Sequence, residues 1–140
     1  EIAQCLVGSE MCIRDSASAV IYQFPFYWMS APSLLKKWQD EVFTFLSKTP
    51  AVAGKSLTVV TTTGSEYEAY RSGGRNRFTM DELLRPYQVS AIHSGMSWQT
   101  PIVVYGMGTA DAGKNIAEGA NLYKQRVEML IGSSNAGNNW

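Results

Sequence analysis

Residues 20–32 read VIYQFPFYWMSAP, an apolar run that passes into an aromatic loop and then into helix-forming sequence. Crossover helices cover both faces of a parallel sheet, so a strand that is apolar on both faces is typical of such a sheet. We therefore predict a first strand over residues 19–24, buried in a parallel sheet. In open α/β sheets, ligands bind beyond the carboxyl ends of the strands, and residues 25–30 follow directly from this one.

Strand and helix signals alternate along the rest of the chain. Residues 57–62 are rich in β-branched side chains and residues 102–105 are apolar, which predicts two further strands. Three amphipathic helices are predicted from apolar residues at three- and four-residue spacing. The side chains predicted to face inward are Leu34, Leu35, Trp38, Val42, Phe45 and Leu46, then Leu83, Leu84, Tyr87 and Ile92, then Ile116, Ala120, Tyr123, Val127, Leu130 and Ile131. The alternation predicts an α/β fold with a parallel sheet.

The helix boundaries carry their own signals. Ser30 can cap the first helix, and residues 79–82 (TMDE) have the form of a capping box at the start of the second. Pro86 is expected to kink that helix and Gly95 to end it. Asp111 can cap the third helix.

Size and charge restrict the class of protein. The chain has 140 residues, 45% of them hydrophobic, which suits one domain. Twelve basic residues balance twelve acidic ones, so no overall field favours nucleic acid or an anionic membrane. No apolar stretch approaches the roughly 20 residues that span a bilayer. We predict a cytoplasmic protein without nucleic-acid binding or membrane insertion.

Residues 1–16 do not match the rest of the chain. They show no helical or strand period, and the string resembles translated sequencing adapter. The alternative is a short irregular lead-in to the first strand. Cys5 and Cys12 both lie here, and two cysteines with the single histidine His93 cannot form a zinc site of usual spacing. We predict no metal site and no disulfide scaffold.

Three weaker signals each allow two interpretations. Residues 106–108 (GMG) lie between a strand and a helix, as a dinucleotide-binding loop would, but Asp111 replaces the third glycine, so a plain turn and cap is the alternative. His93 is either a catalyst or a packing or capping residue. Four arginines could meet a phosphate-bearing cosubstrate or simply solvate a loop: Arg71, Arg75, Arg77 and Arg85.

The aromatic loop also has two interpretations. Aromatic side chains beside a strand are often core. However, residues 62–65 (TTGS) form a second ligand-type loop at the end of the next strand. Two neighbouring strand ends would then offer a flat aromatic wall together with backbone and hydroxyl donors. That pairing favours a flat ring with polar edges as the ligand, and the long polar loop over residues 66–77 is a further candidate for function.

Four segments together carry a family resemblance. They are FPFYWM at 24–29, the pattern AP, LK, W and V within 31–42, TTG at 62–64, and ELLRP at 82–86 with Gly95-Met96. The chain resembles the flavodoxin-like NAD(P)H:quinone oxidoreductases over about residues 19–132. It is most similar to the DT-diaphorase-like bacterial branch whose members are ancillary flavoproteins of glutathione-gated potassium efflux systems.

The resemblance implies a flavodoxin-like three-layer sandwich and a bound FMN or FAD that takes a hydride from NAD(P)H and gives it to a quinone. It also implies a homodimer, and a potassium efflux antiporter as a further partner peripheral to the inner membrane. The implied flavin-binding residues are Pro25, Phe26, Tyr27, Trp28, Met29, Thr62, Thr63, Gly64 and Ser65, with Trp28 against the ring. Tyr70 matches the family's active-site tyrosine. The family's histidine six residues further on is Asn76 here, which puts a histidine proton relay in doubt.

Family members also have two strands and a phosphate-binding loop upstream of the position that matches Ala19. With the adapter interpretation, we expect residues 17–132 to be a partial flavodoxin-like domain that lacks them, residues 133–140 to be a flexible tail, and the chain alone to bind flavin poorly. Two alternatives stay open: a regulatory subunit that docks on the cytosolic domain of a potassium/proton antiporter, and a structural module without a cofactor.

Overall fold

The structure is a computed structural model that describes residues 17–136. The predictions for residues 1–16, including Cys5 and Cys12, lie outside the described residues, as do those for residues 137–140.

Strands and helices alternate along the chain, which confirms the α/β prediction. In chain order the elements are β1 (Ala19–Pro25), α1 (Ser33–Trp38), a π-helical turn (Gln39–Phe43), α2 (Thr44–Leu46), β2 (Ser56–Thr62), a 3-10 turn (Tyr67–Tyr70), α3 (Met80–Leu83), α4 (Arg85–His93), β3 (Ser97–Trp98), β4 (Ile102–Val104) and α5 (Ala112–Ala136).

All strand pairs are parallel and β2 lies at the centre of the sheet. β1 runs along one side of β2, and β3 and β4 follow each other along the other side. β2 is buried from Ser56 to Thr61. By contrast, Gln23 and Pro25 of β1 are exposed, so the prediction that β1 is buried on both faces is wrong. The exposed residues alternate with the buried Tyr22 and Phe24, so they lie on the opposite face of the strand.

The two-residue strand β3 was not predicted. Pro101, which has no N–H to donate, separates it from β4, and a strand of two residues shows no readable alternation. The segment is a strand because it pairs with β2, where Leu57 lies opposite Trp98.

The first helix differs from the prediction because it contains the π-helical turn. A π turn takes more residues per turn than an α-helix, so the face that meets the core shifts along the sequence. As a result Phe43 is buried, whereas Phe45 is 69% exposed and Leu34 is 76% exposed. The inward predictions for Leu34 and Phe45 are therefore wrong. The predicted cap is also wrong, because Pro32 and not Ser30 occupies the N-cap.

The second helical region begins as predicted. The Thr79 hydroxyl accepts from the Glu82 N–H, and the Glu82 carboxylate accepts from the Thr79 N–H, which is a capping box. The helix then breaks at Leu84, so Pro86 lies in the first turn of α4 and not at a kink within one helix. Leu84 and Tyr87 are buried as predicted, but Ile92 is 63% exposed, since Ala91 takes the buried position.

Gly95 ends α4 with a positive φ of 69°, and the Met96 N–H donates to the Ala91 carbonyl across it. This arrangement closes the last turn of the helix and confirms the predicted stop.

Helix α5 packs on the sheet through a small residue, and this changes its predicted face. Gly119 is buried against Val104 of β4. Ile116 and Ile131 are more than half exposed and Ala120 is exposed, so their inward predictions are wrong, while Tyr123, Val127 and Leu130 are half-buried. The helix continues to Ala136, so residues 133–136, predicted as part of a flexible tail, are helical.

The main core lies on the opposite face of the sheet from α5. There, Tyr22 and Phe24 of β1 pack their rings against Tyr87 of α4, and Tyr22 also meets Trp38 of α1. Helices therefore flank the parallel sheet on both faces, as predicted for a three-layer fold. None of the helices in residues 17–136 is long and apolar enough to cross a membrane.

Candidate functional site

The two loops singled out from the sequence lie side by side at one end of the sheet. Pro25 at the end of β1 is in register with Thr62 at the end of β2. One residue further on, the Phe26 N–H donates to the Thr62 carbonyl at 2.9 Å. Because the strands are parallel, their carboxyl ends meet at the same edge, and this is where ligands of open α/β sheets bind.

Residues 27–30 form a tight turn with an unusual backbone. Tyr27 and Ser30 exchange both backbone hydrogen bonds, at 2.9 and 3.0 Å. Between them, Trp28 and Met29 both have positive φ angles, of 48° and 62°. Turns of this kind strongly prefer Asn-Gly, so two bulky residues here are strained. The strain presents the Trp28 side chain to solvent at 97% exposure.

Tyr87 holds the far end of this turn. Its hydroxyl lies 3.1 Å from the Ser30 hydroxyl and accepts from the Ala31 N–H at 3.0 Å. The ring itself is buried. The helical spacing predicts Tyr87 in the core but not this polar contact, because nothing in the local pattern relates residues 57 positions apart.

The predicted binding residues divide into buried and exposed sets. Phe26 is buried and packs edge-on against Tyr70, with ring centroids 6.0 Å apart. Thr63 is 1% exposed, and its hydroxyl donates to the Ser65 carbonyl at 2.8 Å. These two side chains shape the loops from beneath. The exposed members of the predicted set are Pro25, Tyr27, Trp28, Met29 and Gly64, and the half-buried members are Thr62 and Ser65.

The glycine-bearing loop at residues 106–108 closes against the second ligand loop. Its three N–H groups, of Gly106, Met107 and Gly108, donate to the carbonyls of Ser65, Thr63 and Gly64 at 2.8–2.9 Å. Backbone N–H groups that cradle a phosphate must be free to donate to it. The structure therefore favours the plain-turn interpretation of this loop over the dinucleotide-binding one.

Tyr70 and Asn76 lie close together in the fold. The Asn76 N–H donates to the carbonyl of Ala69, the neighbour of Tyr70. Tyr70 is buried between the rings of Phe26 and Tyr105, with the latter centroid 5.8 Å away. Burial raises the pKa of the Tyr105 hydroxyl to about 12, with smaller contributions from Tyr67, Asp81 and Tyr70.

The remaining polar candidates, His93 and the four arginines, do not form one cluster. His93 is exposed at the end of α4, a position that suits a cation beside the helix carbonyls and excludes core packing. Arg71, Arg75, Arg77 and Arg85 are all exposed. Of these, Arg75 donates to the Ser65 hydroxyl at 2.6 Å and so fixes the second ligand loop. Among residues 17–136 no group of three His, Cys, Asp or Glu side chains could hold a metal ion.

This arrangement of strands and ligand loops has a counterpart among known families. The family model described as the flavodoxin-like fold matches residues 14–127. The chain belongs to this flavodoxin-like family. Its parallel sheet with flanking helices agrees with that membership.

Several proteins similar to this flavodoxin-like chain carry functional names. General stress protein 14 of Bacillus subtilis is 38% identical over 88% of this chain and 72% of its own length. The NAD(P)H oxidoreductase YdeQ of the same organism is 38% identical over 79% of this chain and 58% of its own. The potassium-efflux ancillary protein KefG of Pectobacterium atrosepticum is 42% identical over 61% of this chain, which spans 49% of that relative.

Solved flavodoxin-like structures agree in fold and differ in name. General stress protein 14 of Treponema denticola, in complex with FMN, has a TM-score of 0.77 at 26% identity and covers 91% of this chain and 74% of its own. An NADPH-quinone reductase of P. pentosaceus has a TM-score of 0.69 at 30% identity, and the match covers 79% of this chain and 69% of the reductase chain. A protein described as a tryptophan halogenase, from Streptomycin violaceusniger, has a TM-score of 0.76 at 38% identity. The match covers 84% of this chain and 70% of the halogenase chain. One fold can host several functions, so activity must be argued from the site.

Proposed function

We propose that this chain contributes the ring-binding part of a flavin-dependent NAD(P)H:quinone oxidoreductase. A bound flavin would supply the redox chemistry, accepting a hydride from NAD(P)H and passing it to a quinone. The relatives named as NAD(P)H oxidoreductase and NADPH-quinone reductase support this class of reaction. FMN is the flavin that we propose, because the similar protein of Treponema denticola holds it.

One observation carries the proposal: a strained turn that holds Trp28 almost fully in solvent beside the loop at the end of β2. Backbone strain of this kind persists at ligand sites where it serves binding. A flat ring placed on the turn would cover exposed aromatic and thioether surface of Tyr27, Trp28 and Met29.

The polar edge of the ring would meet the second loop. Gly64 is exposed, and a side chain at its position would meet nothing within 4 Å, so a ligand can approach this backbone closely. The Ser65 hydroxyl is fixed by Arg75, and Thr62 and Thr63 set the position of the loop from the strand below. Donors fixed in this way stabilise negative charge on the ring edge without reorganising.

Tyr70 and Asn76 are the residues that we propose beside the reacting face. Packing between Phe26 and Tyr105 holds the Tyr70 ring in place, and the Asn76 amide could donate a hydrogen bond where other family members have histidine.

We also propose that the 140-residue chain holds flavin weakly by itself. In residues 17–136 the N–H groups of the glycine loop at 106–108 already have partners, so this loop offers no cradle for a flavin phosphate. Binding would then depend on the ring alone.

Comparing two flavins tests the assignment directly. Titration of the chain with FMN and with riboflavin, followed by flavin fluorescence, should give the same dissociation constant for both, since only the ring is recognised. Tyr87→Phe removes the hydroxyl that holds the turn and should weaken both flavins several-fold. FMN binding tenfold tighter than riboflavin would show a phosphate site that contradicts this assignment.

A matched pair of aromatic substitutions locates the ring. Trp28→Ala should weaken FMN at least about fivefold, in the range of lost aromatic stacking. Phe45→Ala removes an aromatic side chain of α2 that is also largely exposed, at 69%, and should leave FMN affinity unchanged. Equal effects of the two substitutions, or none, would refute the ring wall. Oxidation of NADH or NADPH by the FMN-loaded chain with menadione as acceptor then tests the reaction.

The similarity to KefG favours a second candidate function, in which the flavin-bearing chain is a regulatory subunit of a potassium/proton antiporter. FMN binding without turnover of NAD(P)H, together with co-purification with the antiporter's cytosolic domain, would favour this role. A cytoplasmic homodimer is proposed in both cases.

A further inference from the structure

A groove of about 810 Å³ runs along the outer edge of β4. One side is formed by the segment from Tyr67 to Asp81, and the other side by Leu122, Arg126 and Met129 of α5. Residues 25–29 and 62–65 do not line it. Its volume lies in the range of small-molecule sites.

Three tyrosines form one wall of this groove. Tyr67 meets Tyr105 edge-on with ring centroids 5.3 Å apart, and Tyr70 meets Tyr105 at 5.8 Å. Tyr67 is half exposed, so its ring is open to a ligand. Met80 and Met129 add polarizable apolar surface. A planar aromatic ligand suits such a lining.

Two guanidinium groups give the groove a positive character. Arg71 lies over the Tyr67 ring, 5.4 Å from its centroid. Arg126 donates through Nη1 to the Thr100 carbonyl at 2.9 Å, which fixes its side chain along the groove. The ion pairs formed among residues 17–136 involve neither arginine. Of the described residues that line the groove, Asp81 alone is acidic, so the two cations are in excess.

Two other ligand classes fit less well. An extended peptide would add to the β4 edge through backbone hydrogen bonds, but Pro101 has no N–H and the Thr100 carbonyl already accepts from Arg126. A phosphate held by backbone N–H groups also fits less well, because the first turn of α3 is capped by Thr79 and carries Asp81.

We propose that this groove binds a planar aromatic carboxylate, with the ring against Tyr67 and Tyr105 and the carboxylate on Arg71 and Arg126. Guanidinium groups recognise planar carboxylates through paired hydrogen bonds, and the tyrosine wall supplies the face for the ring. The groove thus provides a second ligand site that shares Tyr70 with the proposed flavin site and none of the ring-wall residues 25–29 and 62–65.

Calorimetric titration with 2-naphthoate, and with neutral 2-naphthamide as the uncharged match, tests the proposal. Naphthoate should bind saturably and at least about fivefold tighter than naphthamide, and its affinity should fall as sodium chloride is added. Arg71→Gln and Arg126→Gln should each weaken naphthoate about fivefold. Arg71→Lys keeps the charge and loses the paired geometry, so an intermediate affinity is expected.

Two control variants separate the groove from other surfaces. Arg85→Gln removes an exposed arginine that does not line the groove and should leave naphthoate affinity unchanged. Trp28→Ala should also leave it unchanged, and saturating FMN should not displace naphthoate. Equal binding of naphthoate and naphthamide, indifference to both arginine substitutions in variants with normal circular dichroism, or competition by FMN would each overturn the proposal.

Discussion

Trp28 and Met29 adopt a left-handed backbone conformation that glycine and asparagine occupy readily and other residues rarely do. A left-handed residue other than glycine costs about 1–2 kcal/mol. The surrounding contacts outweigh this cost: Tyr27 pairs with Ser30, Phe26 with Thr62, and Tyr87 with Ala31. At the scale of single residues, the turn that leaves the Trp28 side chain exposed therefore lowers the stability of the chain.

Met29→Gly should therefore stabilise the chain. Relief of about 1–2 kcal/mol of strain exceeds the loss of about 0.4–1 kcal/mol from the greater freedom of glycine in the unfolded state, so the free energy of unfolding should rise by roughly 0.5–1 kcal/mol. Urea denaturation without flavin measures it. Met107→Gly is the control, because φ of Met107 is not positive, and it should lower stability. A Met29→Gly variant no more stable than the parent would contradict the strain argument.

Helix α5 is positioned by a residue that has no side chain. Gly119 lies so close to Val104 that an added Cβ would overlap the Val104 methyl group, and Val104 is held in β4. Close contact between helix and strand therefore depends on glycine, although glycine weakens a helix by about 1 kcal/mol relative to alanine. This explains why the apolar stripe predicted for α5 differs from the face that packs.

Glycine-to-alanine substitutions at two positions of α5 should have opposite effects. Gly119→Ala should lower the free energy of unfolding by about 1–2 kcal/mol, since overpacking outweighs the gain in helix propensity. Gly132→Ala meets nothing within 4 Å and should raise it by up to about 1 kcal/mol. Thermal and urea unfolding of the two variants measure both effects. The same sign at both positions would exclude Gly119 as the packing contact.

In the molecule as a whole, the core contains buried tyrosines beside its aliphatic residues. Tyr22, Tyr70 and Tyr87 are buried, and their rings form edge-on and tilted contacts with Phe24, Phe26 and Trp38. Burial raises the pKa of Tyr22 to about 12, so its hydroxyl resists ionisation in the folded state. The free energy of unfolding should therefore depend on pH in the alkaline range.

Stability should fall between about pH 10 and pH 12. Unfolded tyrosine ionises near pH 10 while folded Tyr22 keeps its proton until about pH 12, so over this window the folded state binds more protons and rising pH favours unfolding. Tyr22→Phe should remove up to about 2–3 kcal/mol of this pH-dependent loss. Urea denaturation at stepped pH values measures it. An identical pH dependence in the parent and Tyr22→Phe would show that Tyr22 is not protected.

Local sequence determined the order of elements, the capping box at Thr79, the stop at Gly95 and the two loops that end β1 and β2. Each depends on residues within a few positions, where backbone preference and hydrophobic period act directly. Tertiary structure alone decided that Phe43 replaces Phe45 in the core, that Gly119 is the contact of α5 and that Tyr87 anchors the aromatic turn. These features depend on how closely distant segments approach, and contact energy between them overrides local preference. The left-handed turn at Trp28 and Met29 is the clearest case, since β2 holds one of its ends through Phe26 and Tyr87 of α4 holds the other.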